Sequence, residues 1–375
     1  MSERIGVIGA GAWGTALAKV LAELGHEVVL WCNEADVAKS IAERSENSRF
    51  LPGVALPANL KPETDPLVAA TGKDIVLLAV PSPYLMSVVR RILPAPNLMD
   101  GESLIVVVTK GFIPSARGPR FILESLEDHL PGFYRGGLVY LSGPSHAEEV
   151  SRGKITGLVA ASQNGRNGIR VRALFKGSRV LVFPSLDTVG VQVCAAAKNV
   201  VAIAFGMLDA LAAASGPGAC GEVAAPLGDP TGTRSLEGSA FGDNTESLLL
   251  AAGLNEIQLL GRALGASHPE TFSSIAGVGD LDVTCRSIHG RNRRFGREIV
   301  QKDLLAPFSG IEDLLKRIGE IGYLPEGLVA SRHIHEIAAA RGIDLPIMGG
   351  VHDILDKKVA PREFLENYLG ALGAS

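Results

Sequence analysis

The chain has 375 residues, of which 46% are hydrophobic and 20% are charged, so two or three domains with sizeable cores are expected rather than disorder. Its 36 Lys and Arg nearly balance 40 Asp and Glu, which argues against a broad nucleic-acid or anionic-membrane surface. The four Cys are scattered without a CxxC pair, which indicates neither a disulfide framework nor a zinc site and favours the cytoplasm.

The N-terminal sequence does not predict a secretory signal, because glycines interrupt its apolar run within a few residues. The most apolar later stretch, 189–214, contains Lys198, Asn199 and Asp209. Charged side chains such as Lys198 and Asp209 are costly inside a bilayer, so we expect a buried helix there and no membrane span.

The first half of the chain alternates strand-like and helix-like segments. An apolar strand at 4–8 is followed by a glycine turn, a helix at 15–24 and a strand at 28–31. Further segments comprise strands at 75–80, 104–109, 138–141, 158–161 and 180–182, and helices at 84–92 and 117–129. The alternation predicts an α/β Rossmann-like domain over 1–188, with a mostly parallel sheet and helices on both faces.

After residue 188, helical patterns dominate and predict an all-α C-terminal domain over 189–375. The patterns cover 188–213, 243–264, 310–320, 326–341 and 361–369. Residues 215–240 stand apart, because six Gly and three Pro occur there among few large apolar residues. A loop of this length is either a tolerated surface insertion or a functional flap, and both alternatives stay open.

The first turn carries the pattern G-x-G-x-x-G between a strand and a helix, which is the context a dinucleotide site requires. Its residues are Gly9, Ala10, Gly11, Ala12, Trp13 and Gly14. Gly9 permits the tight turn, and Gly11 lets a pyrophosphate approach amides at the positive end of the helix. Gly14 lets the helix pack closely on the strand. The pattern therefore predicts a dinucleotide site, with a glycine turn that binds no ligand as the alternative.

The ribose of the dinucleotide is expected at the end of the second strand, about 20 residues further on. Asn33 and Glu34 occur there, with a solvated loop acid as the alternative. A carboxylate accepts hydrogen bonds from ribose hydroxyls and repels a 2′-phosphate, so we expect NADH to be preferred over NADPH.

Other candidates follow later strands, because strand C-termini line the cofactor crevice of a doubly wound fold. They are Pro81, Lys110, Gly143 and Ser145. Lys110 is suited to bind phosphate or an anionic substrate, although a surface lysine after a strand is also common. His146 is either a general acid or, more commonly for such a residue, a packing or surface histidine.

Lys198 lies in the apolar run 193–203, so we expect it to be partly buried. Burial disfavours the ammonium and lowers the pKa of a lysine, which suits proton exchange; a snorkelling lysine is the alternative. Arg291, Arg293 and Arg294 occur within four positions and predict either a phosphate site or a solvated basic patch.

Taken in chain order, these motifs resemble the NAD(P)-dependent glycerol-3-phosphate dehydrogenase family. The ordered pieces over 9–326 are GAGAWG, VPS, TKG, GPS-x-A, the Lys198-Asn199 pair, GDNT, DL-x-x-TC and RN. The resemblance implies a Rossmann-like domain joined to a helical domain, and a cytoplasmic homodimer. It also implies reversible reduction of dihydroxyacetone phosphate by NADH to sn-glycerol 3-phosphate, which supplies phospholipid synthesis.

Residue roles are implied by the same resemblance. Lys198 would protonate the developing alkoxide and act as base in the oxidative direction, and its charge removes the need for a metal. Substrate contacts are implied for Lys110, Gly143, Ser145, Lys198, Asp280, Thr284, Gly290, Arg291 and Asn292, the last two binding the phosphate. NAD contacts are implied for Gly9, Gly11, Ala12, Trp13, Gly14, Asn33, Glu34, Pro81, Lys110, Ala147, Arg291 and Glu326.

The chain departs from the usual family residues at His146, Glu246, Ala252 and Gly290, and its 215–240 segment is longer than usual. Two other functions are weighed against the resemblance. A hydroxy acid dehydrogenase of similar architecture would need a carboxylate site without the phosphate clamp of Arg291 and Asn292. A non-catalytic NAD-sensing module would not need Lys198.

Overall fold

A computed structural model describes residues 2–214, 241–287 and 290–374. The 215–240 segment and its suggested role as a flap lie outside the described residues. The chain forms two compact units, one of Met1–Ala196 with Gly261–Asp280 and one of Ala197–Leu260 with Leu281–Ser375. The predicted domain boundary at residue 188 stays a prediction.

The strands of the described chain all lie in the first unit. They are β1 (Arg4–Ile8), β2 (Glu27–Trp31), β3 (Leu60–Glu63), β4 (Ile75–Leu78), β5 (Leu104–Val107), β6 (Phe112–Ile113), β7 (Arg120–Phe121), β8 (Val139–Ser142), β9 (Thr156–Ala161) and β10 (Val180–Ser185). Eight of them form one sheet in the order β10-β9-β8-β5-β4-β1-β2-β3, and only the β8–β9 pair is antiparallel. The predicted mostly parallel sheet is confirmed.

Helices cover both faces of this sheet, as predicted. Those lying within the first unit are α1 (Ala12–Glu23), α2 (Ala35–Arg44), α3 (Pro66–Ala70), α4 (Ser82–Ile92), α5 (Pro96–Met99), α6 (Ile122–Glu127), α7 (Ala147–Ser151), α8 (Gly165–Leu174) and α11 (Glu270–Ser273). Along β4, Ile75 and Leu77 enter one apolar core, whereas Val76 and Leu78 enter the other. A parallel sheet needs this double cover, because its strands are apolar on both faces.

The helix predicted over 117–129 is shorter in the structure. Only Ile122–Glu127 is helical, and the residues before it form the antiparallel pair of β6 and β7. Gly118 has a φ of +98° and Pro119 follows it, so the chain cannot be helical at this point. Similarly, the helix predicted over 310–320 ends at Lys316 and is followed by a separate 3-10 turn at Ile318–Ile321.

The described part of the second unit contains helices and no strand, which confirms the all-α C-terminal prediction. Among the described residues, the remaining α-helices are α9 (Thr188–Ala214), α10 (Asp243–Ala263), α12 (Asp280–Arg286), α13 (Arg291–Gln301), α14 (Ile311–Lys316), α15 (Glu326–Arg341), α16 (Pro346–Leu355) and α17 (Pro361–Ala374). Helix α9 is long and apolar enough to cross a membrane, but every residue of its most apolar window is buried. It is the buried helix that the sequence predicted.

A carboxyl group is buried at the start of α16. Both oxygens of Glu256 accept backbone hydrogen bonds, from Ile347 N at 2.6 Å and from Met348 N at 3.0 Å. The group satisfies amides that have no partner inside their own helix. Burial nevertheless raises the pKa of Glu256 to about 7.

Candidate active site

The glycine turn has the geometry that its sequence predicted. Gly9 has a φ of +124°, and a Cβ there would lie 2.7 Å from Ala79 O. A Cβ at Gly14 would lie 2.0 Å from Gly9 O, so the turn and α1 pack backbone to backbone. By contrast, a Cβ at Gly11 would meet no atom within 4 Å. This open space above the N-terminus of α1 fits a dinucleotide pyrophosphate.

Asn47, which no sequence pattern indicated, is a fully buried residue that fixes this turn. Its Nδ2 donates to Ala10 O at 2.8 Å and to Thr15 Oγ1 at 2.8 Å, and its Oδ1 accepts from Phe50 N at 3.0 Å. Asn47 follows α2, so no local pattern connects it with the glycines. The carboxamide holds the turn in the shape that the phosphates would meet.

The end of β2 leads directly into α2, at the predicted ribose position. Asn33 is exposed, and Glu34 is the half-buried residue that precedes the first turn of α2. The structure also places a cation here, because Arg49 Nη1 lies 3.5 Å from Asp36 Oδ2. Arg49 lies fifteen residues after Glu34, so no local pattern in the sequence predicts this cation.

The predicted cofactor residues outside the turn lie at the starts of helices. Ala12 begins α1 and Trp13 follows it, both half-buried. Pro81 precedes α4 and is exposed, whereas Ala147 begins α7 and is buried. Helix N-termini carry unpaired N–H groups, which suits these positions to a negatively charged ligand.

Three of the predicted substrate residues meet in the first unit. Lys110 Nζ donates to Ser145 Oγ at 3.2 Å and lies 3.3 Å from Asp280 Oδ2. Asp280 is fully buried and Lys110 is half-buried, and a buried carboxylate requires such a partner. Gly143 lies close by in sequence with a φ of +142°, and a Cβ there would lie 2.8 Å from Gly157 O.

Lys198 is buried on α9, as expected, and Thr284 is its partner on α12. Its Nζ donates to Thr284 Oγ1 at 2.9 Å, and both side chains are less than a tenth exposed. Thr284 lies four residues after Asp280 on α12, which places the two side chains on one face of that helix. An ammonium held at a hydroxyl in apolar surroundings is suited to transfer a proton.

Asn292 is braced by the protein at both ends of its carboxamide. Its Nδ2 donates to Asn199 Oδ1 at 2.9 Å, and its Oδ1 accepts from Gly327 N at 2.8 Å. Helices α9, α13 and α15 are therefore joined at one buried side chain. A Cβ at Gly327 would lie 2.5 Å from Asn199 O, so only glycine allows this approach.

The three arginines predicted as a phosphate site separate into different roles. Arg293 bonds to Asp209 at 2.5 Å, and Arg294 bonds to Glu298 at 3.0 Å. Arg291 begins α13, directly after Gly290, and its Nη2 lies 3.7 Å from Glu326 Oε1. Arg291 and Arg294 are both more than half exposed, but the contact of Arg291 with its carboxylate is the longer of the two, so its guanidinium is the more available to a ligand.

Comparison with known proteins identifies relatives along the whole chain. A family model described as NAD-dependent glycerol-3-phosphate dehydrogenase N-terminus matches residues 4–167, and its C-terminus counterpart matches 187–220 and 232–366. The chain is 51% identical over 375 residues to a Treponema denticola protein named glycerol-3-phosphate dehydrogenase (NAD(P)+), covering 98% of this chain and 99% of that one. A Bacillus subtilis protein of the same name is 34% identical over 353 residues, covering 94% and 90%. A crystal structure of glycerol-3-phosphate dehydrogenase from Coxiella burnetii matches with a TM-score of 0.79 and 29% identity, covering 98% and 99%.

Proposed function

Because the chain belongs to the NAD-dependent glycerol-3-phosphate dehydrogenase family, we propose that it catalyses reversible reduction of dihydroxyacetone phosphate by NADH. The product is sn-glycerol 3-phosphate, the precursor that phospholipid synthesis requires. The observation that carries this proposal is the buried Lys198 ammonium bonded to Thr284. Burying a charged lysine is costly, so its position within an apolar helix favours a role in the reaction over that of a surface lysine.

Lys198 supplies the proton that reduction of a ketone requires. Its ammonium donates to the carbonyl oxygen as negative charge develops there, and the neutral amine removes the proton in the oxidative direction. The hydrogen bond to Thr284 fixes the direction of Nζ, so that the proton is already oriented. Bound NADH supplies the hydride.

The remaining polar residues bind and orient the two ligands. Lys110, with Ser145 and Asp280, presents a positive charge to the anionic substrate. Arg291 binds the phosphate through its guanidinium. Asn292 donates the second hydrogen of its Nδ2, the one that does not bond to Asn199. The other residues with predicted contacts, from the glycine turn to Glu326, bind the dinucleotide or the carbon chain of the substrate.

We further propose a role for each domain, an oligomeric state and a cellular compartment. Residues 1–188 act as the NAD-binding domain and residues 189–375 as the substrate-binding domain. The protein works as a homodimer in the cytoplasm, as the family resemblance implies. Cross-linking and sedimentation of the purified chain measure the oligomeric state.

The decisive experiment follows NADH absorbance with dihydroxyacetone phosphate as substrate. We expect turnover with wild-type protein and a fall in kcat of at least about 10²-fold in Lys198→Ala, the usual scale of general acid–base catalysis. NADH affinity, measured by fluorescence, should be unchanged in this variant. Lys316→Ala, at an exposed lysine in the last turn of α14, is the matched control and should retain kcat.

Other outcomes distinguish the alternatives. Turnover with a 2-oxo acid but not with dihydroxyacetone phosphate would indicate a hydroxy acid dehydrogenase. NADH binding without turnover of any ketone would indicate a sensing module. Normal kcat in Lys198→Ala would remove this residue from the mechanism.

A further inference from the structure

The guanidinium of Arg293 bonds to two helices other than its own. Its Nε donates to Asp209 Oδ2 on α9 at 2.5 Å, and its Nη1 donates to Arg286 O at the end of α12 at 2.6 Å. The side chains of Arg293 and Asp209 are only 20% and 11% exposed, so solvent weakens this ion pair less than it weakens a pair at the surface. Arg293 therefore joins α9 and α12 to its own helix, α13.

These three helices carry residues of the proposed reaction. Lys198 lies on α9, Thr284 lies on α12, and Asn292 is the second residue of α13. Lys198 Nζ donates to Thr284 Oγ1 at 2.9 Å. Because Arg286 lies two residues after Thr284 on the same helix, the bond from Arg293 to Arg286 O also restrains Thr284.

Backbone contacts already hold α13 against α9. A Cβ at Gly206 on α9 would lie 1.9 Å from Arg293 O, and a Cβ at Gly296 on α13 would lie 2.1 Å from Ile203 O. Glycine is the residue that allows two backbones to approach this closely. The contact that the Arg293 side chain adds to this packing is therefore the one to α12.

The bond to Arg286 O lies at the C-terminal end of α12. The last carbonyls of a helix have no partner inside the helix, and Arg286 is the last residue of α12. A cation at this end also interacts favourably with the helix dipole. Helix α12 is thus bonded to α9 at two points, directly through Thr284 and through Arg293 at Arg286 O. Two points of attachment restrain the direction of the Thr284 hydroxyl more than one point does.

We propose that Arg293 is a positioning residue for proton transfer, because its guanidinium holds α12 where Thr284 Oγ1 orients the ammonium of Lys198. The inference rests on the proposed function, in which Lys198 supplies the proton. Orientation matters greatly in such a step, since a misplacement of about 1 Å can lower a rate about 100-fold. Arg293 acts in this way without contacting either substrate or cofactor.

The test is a double-mutant cycle of Arg293→Lys and Thr284→Val, with kcat and KM for dihydroxyacetone phosphate measured in all four proteins. A lysine keeps a charge for Asp209, but its ammonium ends one bond short of Nη1 and leaves Arg286 O without this donor. Arg293→Lys should lower kcat at least about tenfold and change KM less than about twofold. In the Thr284→Val background the same substitution should lower kcat less than about twofold, because the residue through which Arg293 acts is already absent.

Arg297→Lys is the matched control, at an exposed arginine one turn further along α13, and should keep both kcat and KM. A second variant, Arg293→Met/Asp209→Asn, removes both charges together, so that no unpaired carboxylate is left in a buried position. It should show the same loss of kcat as Arg293→Lys. Thermal unfolding should show that all of these variants are folded.

An unchanged kcat in Arg293→Lys, or an equal loss of kcat in both backgrounds, would overturn the proposal, because Arg293 would then not act through Thr284. A raised KM at unchanged kcat would also overturn it and would indicate that Arg293 binds the substrate phosphate. In these cases the proposed function still holds if Lys198→Ala loses kcat. A normal kcat in Lys198→Ala would contradict the proposed function and this inference together.

Discussion

Replacing Asn292 with Ala tests whether this residue does more than contact phosphate. The substitution removes the hydrogen bond to Asn199 and leaves the Gly327 N–H unsatisfied at a buried site. An unsatisfied buried donor costs about 1–3 kcal/mol, and the second lost hydrogen bond adds about 1 kcal/mol. We therefore expect the free energy of unfolding to fall by about 2–4 kcal/mol. For a unit of this size that corresponds to a melting temperature lower by about 5–15 °C.

The assay is thermal unfolding of the ligand-free protein, with KM for dihydroxyacetone phosphate measured in parallel. Asn292→Asp keeps an acceptor for Gly327 N–H but places a carboxylate oxygen against Asn199 Oδ1 at a buried site, so it should not restore stability. Arg297→Ala, at an exposed position of the same helix, is the control and should leave the melting temperature unchanged. An unchanged melting temperature in Asn292→Ala, together with a raised KM, would show that Asn292 does not stabilise the fold and serves only to bind the substrate phosphate.

Three further predictions concern the phosphate, the cofactor and pH. Arg291→Ala should raise KM for dihydroxyacetone phosphate far more than for uncharged dihydroxyacetone, and equal losses for the two substrates would contradict phosphate binding. NADH should be preferred over NADPH by at least about tenfold in kcat/KM, and Asn33→Arg/Glu34→Arg should shift the preference toward NADPH; equal use of both cofactors by wild-type protein would contradict this. Because burial raises the pKa of Glu256 to about 7, the folded chain holds a proton there more tightly than the unfolded chain does. The free energy of unfolding should therefore fall by about 3 kcal/mol as pH rises from about 4.5 to 7. Urea unfolding at several pH values measures this, and Glu256→Gln should have a flatter profile.

Features specified by neighbouring residues were predictable from the sequence. The strand, turn and helix around Gly9 and Gly14 follow from apolar spacing and from the need for backbone approach, both of which are local. The buried position of Lys198 followed in the same way from its apolar neighbours. The prediction of a helix over 117–129 was wrong because apolar periodicity continues across Pro119, whereas the backbone of a helix does not.

Features that depend on distant partners were not predictable. Asn47 holds the glycine turn from beyond α2, and an isolated Asn gives no signal of that contact. Arg293 and Arg291 look alike in sequence, yet Asp209 on another helix engages one of them and leaves the other at the surface. Tertiary pairing therefore decides which arginine serves structure and which can bind a ligand.

A distant partner also limits the size of the cofactor preference. Glu34 is not the only charge that a 2′-phosphate would meet, because Arg49 reaches the start of α2 and lies beside Asp36. Two carboxylates and one guanidinium leave a net negative charge, so the direction of the preference is retained. Arg49 and Asp36 are both more than half exposed, and solvent and salt weaken their contribution. A selectivity near tenfold, rather than the several kcal/mol of a buried like-charge contact, is what this arrangement supports.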